Sequence, residues 1–111
     1  MTKVLIIDDE KDLCHLMKSF LSQMEYEVFT SYTLRDGLRM VNDVNPDILF
    51  IDNNLPDGLG WDAVGIIRSA LPKCRIILIS AYKVAQEWLA VGKVEIIEKP
   101  ISLLKLQDTL H

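Results

Sequence analysis

The chain has 111 residues, half of them hydrophobic, and a formal net charge of −4. This length predicts one domain with its own core, and the acidic balance argues against a nucleic-acid surface. No segment approaches the roughly 18 apolar residues of a membrane span, and the N-terminus leaves no room for a signal peptide. Cys14 and Cys74 lack the spacing of a metal site, so free thiols in a cytoplasmic protein are expected.

Strand-like and helix-like segments alternate along the chain. In order, apolar runs are centred on residues 4–7, 26–30, 48–51, 76–79 and 96–97, and helical spacing follows over 13–24, 34–41, 60–71, 82–91 and 103–110. Such alternation calls for a parallel sheet covered by helices on both faces. The sequence therefore predicts an α/β fold, a doubly wound (βα)5 domain over residues 1–111.

The helices carry further expectations. The first helix is predicted to bury one apolar stripe, made of Leu13, Leu16, Met17, Phe20, Leu21 and Met24. Cys14, His15 and Lys18 are predicted to lie away from the centre of this stripe. The second should end before Pro46, because the residue before proline avoids helical geometry. Trp61 and Trp88 are interpreted as packing residues.

Polar side chains stand where the apolar runs end. Asp8 and Asp9 close the first run, Asp52 the third, Ser80 the fourth and Lys99 the fifth. The carboxyl ends of parallel strands share one edge of the sheet, and ligands bind at that edge. These side chains are therefore expected to converge, although Asp8 or Asp9 could also cap the first helix.

Three converging carboxylates repel one another unless one is protonated or a cation joins them. Hard oxygen ligands without a nearby His or Cys favour Mg²⁺. Calcium in an EF-hand is rejected, because Pro56, Asp57 and Ala63 break the loop pattern that starts at Asp52. Mg²⁺ beside a carboxylate, a hydroxyl and an ammonium suits phosphoryl transfer to an Asp52 nucleophile.

As a set, Asp8-Asp9, Asp52 with Pro56 and Gly60, Ser80-Ala81 and Lys99-Pro100 resemble the receiver domain of two-component response regulators. The resemblance implies a flavodoxin-like five-stranded parallel sheet of order 2-1-3-4-5. It also implies Mg²⁺-dependent transfer of a phosphoryl group to Asp52, from a histidine kinase or a phosphotransfer protein. The module would then switch an output domain or a downstream protein, without being an enzyme in its own right.

Roles of single residues also follow from the resemblance. Asp9 would bind the metal directly, Asp8 through water and Asn54 through its backbone carbonyl. Lys99 would contact the phosphoryl group and Ser80 would be the switch hydroxyl. The Lys99-Pro100 bond, cis in many relatives, is a candidate cis bond.

The sequence departs from the family pattern near its end. Ile96 stands where an aromatic switch residue is common, Ile101 where Phe is frequent, and fewer residues than usual separate Ser80 from Lys99. Tyr82 is predicted to shield the phosphoryl group from water because of its bulk. Glu10 is interpreted as an acid in the first turn of the first helix, stabilised by the helix dipole.

Alternative functions stay open at this point. A degenerate receiver would bind partners without phosphorylation. A phosphohydrolase of the haloacid dehalogenase kind would need its nucleophile after the first strand with a second Asp two positions on, whereas Asp8 is followed by Asp9 and Glu10. The chain could be a stand-alone receiver or a piece of a longer regulator, and a homodimer is compatible with either.

Overall fold

The computed structural model describes residues 1–81 and 94–110. Its elements in chain order are β1 (Lys3–Ile7), α1 (Lys11–Gln23), β2 (Glu27–Ser31), α2 (Leu34–Val44), β3 (Ile48–Asp52), β4 (Asn54–Leu55), β5 (Gly58–Leu59), α3 (Gly60–Ala70), β6 (Arg75–Ser80), β7 (Glu95–Glu98) and a C-terminal helix (Leu103–Leu110). None of the helices in these residues is long and apolar enough to cross a bilayer. The helix predicted over 82–91, with Tyr82 and Trp88, lies outside the described residues.

Five parallel strands form the central sheet, in the order β2-β1-β3-β6-β7. Within the described residues the two-residue strands β4 and β5 pair with each other and not with the central sheet, so β6 and β7 are the fourth and fifth strands of that sheet. The predicted flavodoxin-like order 2-1-3-4-5 is confirmed. In the register of this sheet, Ile7 lies beside Ile51, Asp52 beside Ile79, and Ser80 beside Glu98, so the polar strand ends reach the same edge.

Two apolar clusters, one on each face of the sheet, make up the core. Alternate side chains of the strands enter different clusters, as the period of two in a β-strand requires. The first cluster joins the sheet to α2 and α3, and the second joins it to α1 and the C-terminal helix. From β1, β3 and β6, the first contains Leu5, Ile7, Leu49, Ile51, Ile76 and Leu78, and the second contains Val4, Ile6, Ile48, Phe50, Ile77 and Ile79. Burial on both faces explains why the strands are continuous apolar runs.

The rotation of α1 about its axis corrects one expectation. Cys14 is 1% exposed and packs in the core, together with Met17 and Leu21, whereas Leu16 is 47% exposed. Positions 14, 17 and 21 follow helical spacing as well as the predicted stripe does. The prediction that Cys14 lies off the buried stripe was therefore wrong, because the apolar pattern was wide enough to fit two rotations of the helix.

The remaining helix ends agree with the sequence. α2 stops at Val44, and Asn45 then adopts a left-handed conformation with φ 53° before Pro46. α3 ends at Ala70, two residues before Pro72. Trp61 is partly buried against the first core cluster, so its interpretation as a packing residue is confirmed.

Candidate functional site

Three carboxylates meet where β1 and β3 end side by side. Asp8 and Asp9 follow β1, and Asp52 is the last residue of β3. Each of the three offers one oxygen, and these oxygens lie within 4.8 Å of one another. Asp8 and Asp52 are buried, whereas Asp9 is exposed. The neighbouring positions of β1 and β3 in the sheet thus bring together residues that are more than forty positions apart in the sequence.

Asp8 is the most deeply buried of these acids, with no exposed surface. Its Oδ1 accepts the N–H of Glu10 at 2.9 Å. Glu10, not Asp8 or Asp9, is the N-cap residue of α1, and its side chain makes no capping hydrogen bond. The Oδ2 of Asp8 is buried and finds no hydrogen-bond partner among the described residues, although Lys99 Nζ lies 3.3 Å away. The pKa of Asp8 is raised from 3.8 to about 6, mainly by burial and also by the negative charge of Asp52. The Glu10 N–H and the charge of Lys99 offset part of this rise.

Asp52 has a defined partner for each oxygen. The N–H of Asn54 donates to Oδ1 at 3.1 Å, and Lys99 Nζ lies 3.2 Å from Oδ2. The side chain is 4% exposed. A carboxylate that accepts one hydrogen bond from an ammonium and one from a backbone N–H is held in one orientation.

Lys99 stands at the centre of the acidic group. Its ammonium lies 2.8 Å from Glu10 Oε1, 3.2 Å from Asp52 Oδ2 and 3.3 Å from Asp8 Oδ2. Burial by itself would lower the pKa of Lys99, but the hydrogen bond to Glu10 and the charges of Asp8 and Asp52 outweigh it and raise that pKa above its ordinary value. The peptide bond between Lys99 and Pro100 is cis, as expected from the resemblance.

The donor set fits a small, hard cation. Asp8, Asp52 and Glu10 contact the ammonium of Lys99, and Asp9 lies beside Asp8 and Asp52. Four carboxylates are therefore grouped around one positive charge. Asp8 Oδ2 is buried and makes no hydrogen bond within the described residues, and its ion-pair partner is the Lys99 ammonium at 3.3 Å. Such an oxygen is stabilised further when a water or a second cation binds it. Oxygen ligands alone favour Mg²⁺ over zinc or copper.

Ser80 ends β6 at the same edge of the sheet. It is 2% exposed, and its backbone carbonyl accepts the N–H of Lys99 at 2.8 Å. Asp52 pairs with Ile79 across β3 and β6, so Ser80 lies one residue beyond Asp52 on the adjacent strand. The structure therefore brings Ser80 to the edge that carries the three carboxylates.

The segment after β3 forms a small platform beside Asp52. The antiparallel pairing of β4 with β5 joins Asn54 to Leu59 and Leu55 to Gly58. Gly60 then starts α3 directly against β3: a Cβ on Gly60 would lie 2.3 Å from the backbone oxygen of Asp52. Since real Cβ contacts essentially never fall below 3.0 Å, this close approach requires glycine.

Two contacts at this edge were not predicted. Glu10 was interpreted as a helix acid, yet its carboxylate makes the shortest of the three contacts to Lys99. The position of Glu10 directly after Asp8-Asp9 was the one sequence feature that could have indicated its place near the site. The second is Asp57, which breaks the EF-hand pattern and accepts the N–H groups of Leu34 and Arg35 at 2.8 and 2.9 Å. A contact between residues this far apart produces no local pattern in the sequence.

Comparison with known proteins assigns the chain to a family. The family model described as the response regulator receiver domain matches residues 4–111. The chain belongs to the response regulator receiver domain family. Receiver domains are the phospho-acceptor modules of two-component signalling, so the fold and the acidic edge have a common explanation.

Curated relatives of this receiver domain are larger regulators. The response regulator PilR of Pseudomonas aeruginosa is 28% identical over 109 residues, which are 96% of this chain and 24% of PilR. The KDP operon transcriptional regulatory protein KdpE of Escherichia coli is 31% identical over 116 residues, 100% of this chain and 50% of KdpE. The chain thus spans a quarter to a half of the length of these relatives.

Solved structures of receiver proteins superpose closely. The chemotaxis protein CheY4 of Vibrio cholerae has a TM-score of 0.89 at 28% identity, covering 99% of this chain and 96% of CheY4. The response regulator TrrA of Thermotoga maritima, crystallised in complex with Mg(2+)-BeF, has a TM-score of 0.86 at 26% identity, with the same coverages of 99% and 96%. The similarity extends over essentially the whole receiver domain.

Proposed function

We propose that this receiver domain accepts a phosphoryl group on Asp52 in a Mg²⁺-dependent reaction. The observation that carries the proposal is the convergence of Asp8, Asp9 and Asp52, whose oxygens lie within 4.8 Å of one another, with Lys99 on Asp52 Oδ2. Family membership supplies the reaction class. The assignment of each residue to a role is our inference.

Asp52 is the nucleophile. One of its carboxylate oxygens attacks the phosphorus of the donor, the bond from phosphorus to the donor nitrogen breaks, and the electron pair stays with that nitrogen. The Asn54 N–H and Lys99 orient the carboxylate before the attack. A positioned nucleophile lowers the barrier because its orientation is already fixed when the donor arrives.

Asp9, Asp52 and the backbone carbonyl of Asn54 would hold Mg²⁺ directly, and Asp8 would hold it through water. Mg²⁺ at this position would neutralise negative charge that develops on the phosphoryl oxygens. The buried Asp8 oxygen without a hydrogen bond supports this assignment, because a metal-bound water would give it a partner.

Lys99 supplies the second positive charge to the phosphoryl group. Its ammonium already contacts Asp52, so a short movement away from Glu10 would bring it to the phosphoryl oxygens. Ser80 reorients its hydroxyl so that it donates a hydrogen bond to one of these oxygens. A phosphoryl group adds about −1.5 to −2 charges and three strong acceptors, which is sufficient to drive such a rearrangement.

The donor is the phosphohistidine of a histidine kinase or of a phosphotransfer protein, and the phosphorylated domain controls an output domain or a downstream protein. The curated relatives support this role, since KdpE is a transcriptional regulatory protein of which the receiver-like part is half. Ile96 is partly buried against the first core cluster; it would repack in place of an aromatic switch residue.

Intact-mass spectrometry after incubation with acetyl phosphate tests the proposal. We expect a mass gain of one phosphoryl group that requires Mg²⁺ and disappears in Asp52→Asn. Asp43→Asn is the matched control, because Asp43 is exposed on α2 away from this edge and the substitution removes the same charge. Absence of a mass gain in the folded wild-type chain would contradict the proposal and favour a degenerate receiver that binds its partner without phosphate.

A further inference from the structure

We propose that Asp57 is a positioning residue for the metal site. By holding the first amides of α2, it fixes the segment Asn53–Leu59, which we name the β3–α3 platform. This inference rests on the proposed function, which assigns the Asn54 carbonyl as a metal ligand. It adds a residue that touches neither the metal nor the phosphoryl group.

Asp57 bridges two parts of the chain that are separate in sequence. Its Oδ1 accepts the N–H of Leu34 at 2.8 Å, and its Oδ2 accepts the N–H of Arg35 at 2.9 Å. These backbone hydrogen bonds, with Arg35 first and Leu34 second, lower the pKa of Asp57. The first N–H groups of a helix lack partners within the helix and carry partial positive charge, so an ionised carboxylate is well suited to bind both.

The helix does not depend on Asp57 alone for its capping. The Thr33 hydroxyl accepts the N–H of Asp36 at 3.1 Å, which is an ordinary N-cap within one segment. The hydrogen bonds of Asp57 therefore differ from that of Thr33 in what they connect. They join the start of α2 to the platform, across 22 to 23 positions of sequence.

The other end of the platform is held by Asn53. Its N–H donates to the carbonyl of Ile79 on β6 at 2.8 Å, its carbonyl accepts the N–H of Gly60 at 3.0 Å, and its Oδ1 accepts the N–H of Trp61 at 3.0 Å. Asn53 thus ties the first residue of the platform to both β6 and α3. Asn54 follows Asn53 directly, and Asp57 attaches the turn of the platform to α2.

Between these two attachments the platform lies against α2. Asn54 pairs with Leu59 and Leu55 with Gly58, so the platform is one small hairpin. Gly58 has φ +157°, and a Cβ on it would lie 3.0 Å from Leu34 Cδ2. The hairpin is therefore in close contact with the same residue whose N–H binds Asp57.

Loss of Asp57 would release the turn of the hairpin while Asn53 keeps its base. The Asn54 carbonyl would then sample more orientations before it meets the metal, and affinity would fall because the ligand is less preorganised. Removing the groups that orient metal ligands typically weakens metal binding by tenfold or more, and we expect about tenfold weaker Mg²⁺ binding in Asp57→Ala.

Calorimetric Mg²⁺ titration of the full chain is the direct test, with Asp57→Ala compared to Thr33→Ala. Both variants remove acceptors from the same helix end, but only Asp57→Ala disconnects the platform. We expect Thr33→Ala to bind Mg²⁺ as the wild type does. Asp57→Asn keeps one acceptor oxygen and should recover part of the affinity.

Hydrogen exchange without Mg²⁺ provides a second measurement that does not depend on the metal. Asp57→Ala should accelerate amide exchange in residues 53–59 as well as in the first turn of α2, whereas Thr33→Ala should accelerate it in α2 alone. Faster exchange in the platform of both variants would show a general loosening of α2 and would overturn the proposal.

The outcomes separate this inference from the proposed function. If the wild type binds Mg²⁺ and takes up the phosphoryl group, but Asp57→Ala and Thr33→Ala bind Mg²⁺ equally, Asp57 is a helix cap only and the proposed function stands. If the folded wild type binds no Mg²⁺, both proposals are wrong. Weaker binding in Asp57→Ala alone supports the positioning role.

Discussion

The edge of the central sheet where the strands begin and the edge where they end differ in how their charged side chains are paired. At the edge where the strands begin, Arg75 forms a fork with Glu95 at 2.5 and 2.6 Å and also donates to the carbonyl of Thr109. The Asp47 carboxylate there accepts the N–H of Lys3 at 2.8 Å. At the edge where the strands end, Asp8 and its neighbouring acids share Lys99, and one buried oxygen of Asp8 has no hydrogen bond within the described residues.

This difference shows which edge is built for stability and which for binding. Balanced pairs at the first edge need no further partner. The second edge is incomplete, because its excess of carboxylates gains a favourable environment only when a cation arrives. Substitutions at the two edges should therefore affect different properties.

The largest effect is expected from Lys99→Met, which removes the ammonium shared by the acids. Loss of one preorganised charge at a reacting group commonly lowers a rate by about 10²–10³-fold, and we expect a loss of that size in phosphorylation by acetyl phosphate. Lys18→Met is the matched control, because Lys18 is exposed on α1 and the charge change is the same. Equal rates in the two variants would remove Lys99 from the proposed site.

Asp8→Asn should stabilise the chain in the absence of metal. The folded-state pKa of Asp8, about 6, lies above its ordinary value of 3.8, so ionisation opposes folding. Stability conferred by the protonated form is present below pH 3.8 and is lost as pH rises through 6. The lost stability amounts to about 3 kcal/mol by pH 7.

Urea unfolding between pH 4 and 7 with a chelator present would measure this. We expect the free energy of unfolding of the wild type to fall with pH relative to Asp8→Asn, and added Mg²⁺ to restore it in the wild type only. Asp43→Asn is the control at an exposed position of α2, away from the carboxylates of the site. A difference between wild type and Asp8→Asn that stays constant with pH would contradict the pKa assignment.

A smaller effect is expected at Gly60, where α3 meets Asp52. The added Cβ of Gly60→Ala would lie 2.3 Å from the Asp52 carbonyl, and overpacking of this kind costs about 1–3 kcal/mol. Gly65→Ala in the same helix has nothing within 4 Å of its added Cβ and should gain about 0.5–1 kcal/mol. Thermal unfolding of both variants checks the opposite signs, and equal shifts would refute the close contact.

The smallest effect belongs to the balanced edge. Arg75→Met should lower the free energy of unfolding by about 1 kcal/mol or less, because the side chains of Arg75 and Glu95 are 35% and 46% exposed and water screens such pairs. Mg²⁺ affinity and the rate of phosphorylation should not change. A change in either would mean that the two edges are coupled, against the contrast drawn above.

Most of the fold could be predicted, since strands buried on both faces leave continuous apolar runs in the sequence. The positions of Asp8, Asp52, Ser80 and Lys99 followed because parallel strands deliver their last residues to one edge. Rotation of α1 was harder. Its apolar residues fit two orientations, and the sheet buries Cys14 in place of Leu16.

Contacts across long loops were beyond the reach of the sequence. Asp57 has no periodic or motif signal that connects it to Leu34, because the hydrogen bond depends on where the sheet places α2 relative to the end of β3. The contact of Glu10 with Lys99 likewise depends on β7, which brings Lys99 to the edge of the sheet where Glu10 lies. Only the assembled sheet defines such neighbours.

The two cysteines offer a way to time the opening of each edge separately. Cys14 Sγ donates to the carbonyl of Asp8 at 3.2 Å, while Cys74 immediately precedes Arg75 at the balanced edge. Both thiols are buried, which raises the pKa of Cys14 to about 12 and that of Cys74 to about 11. Since a thiol reacts as the thiolate, a buried thiol is alkylated only after local unfolding exposes it. The alkylation rates of Cys14 and Cys74 therefore report how often the structure opens at each end of the strands.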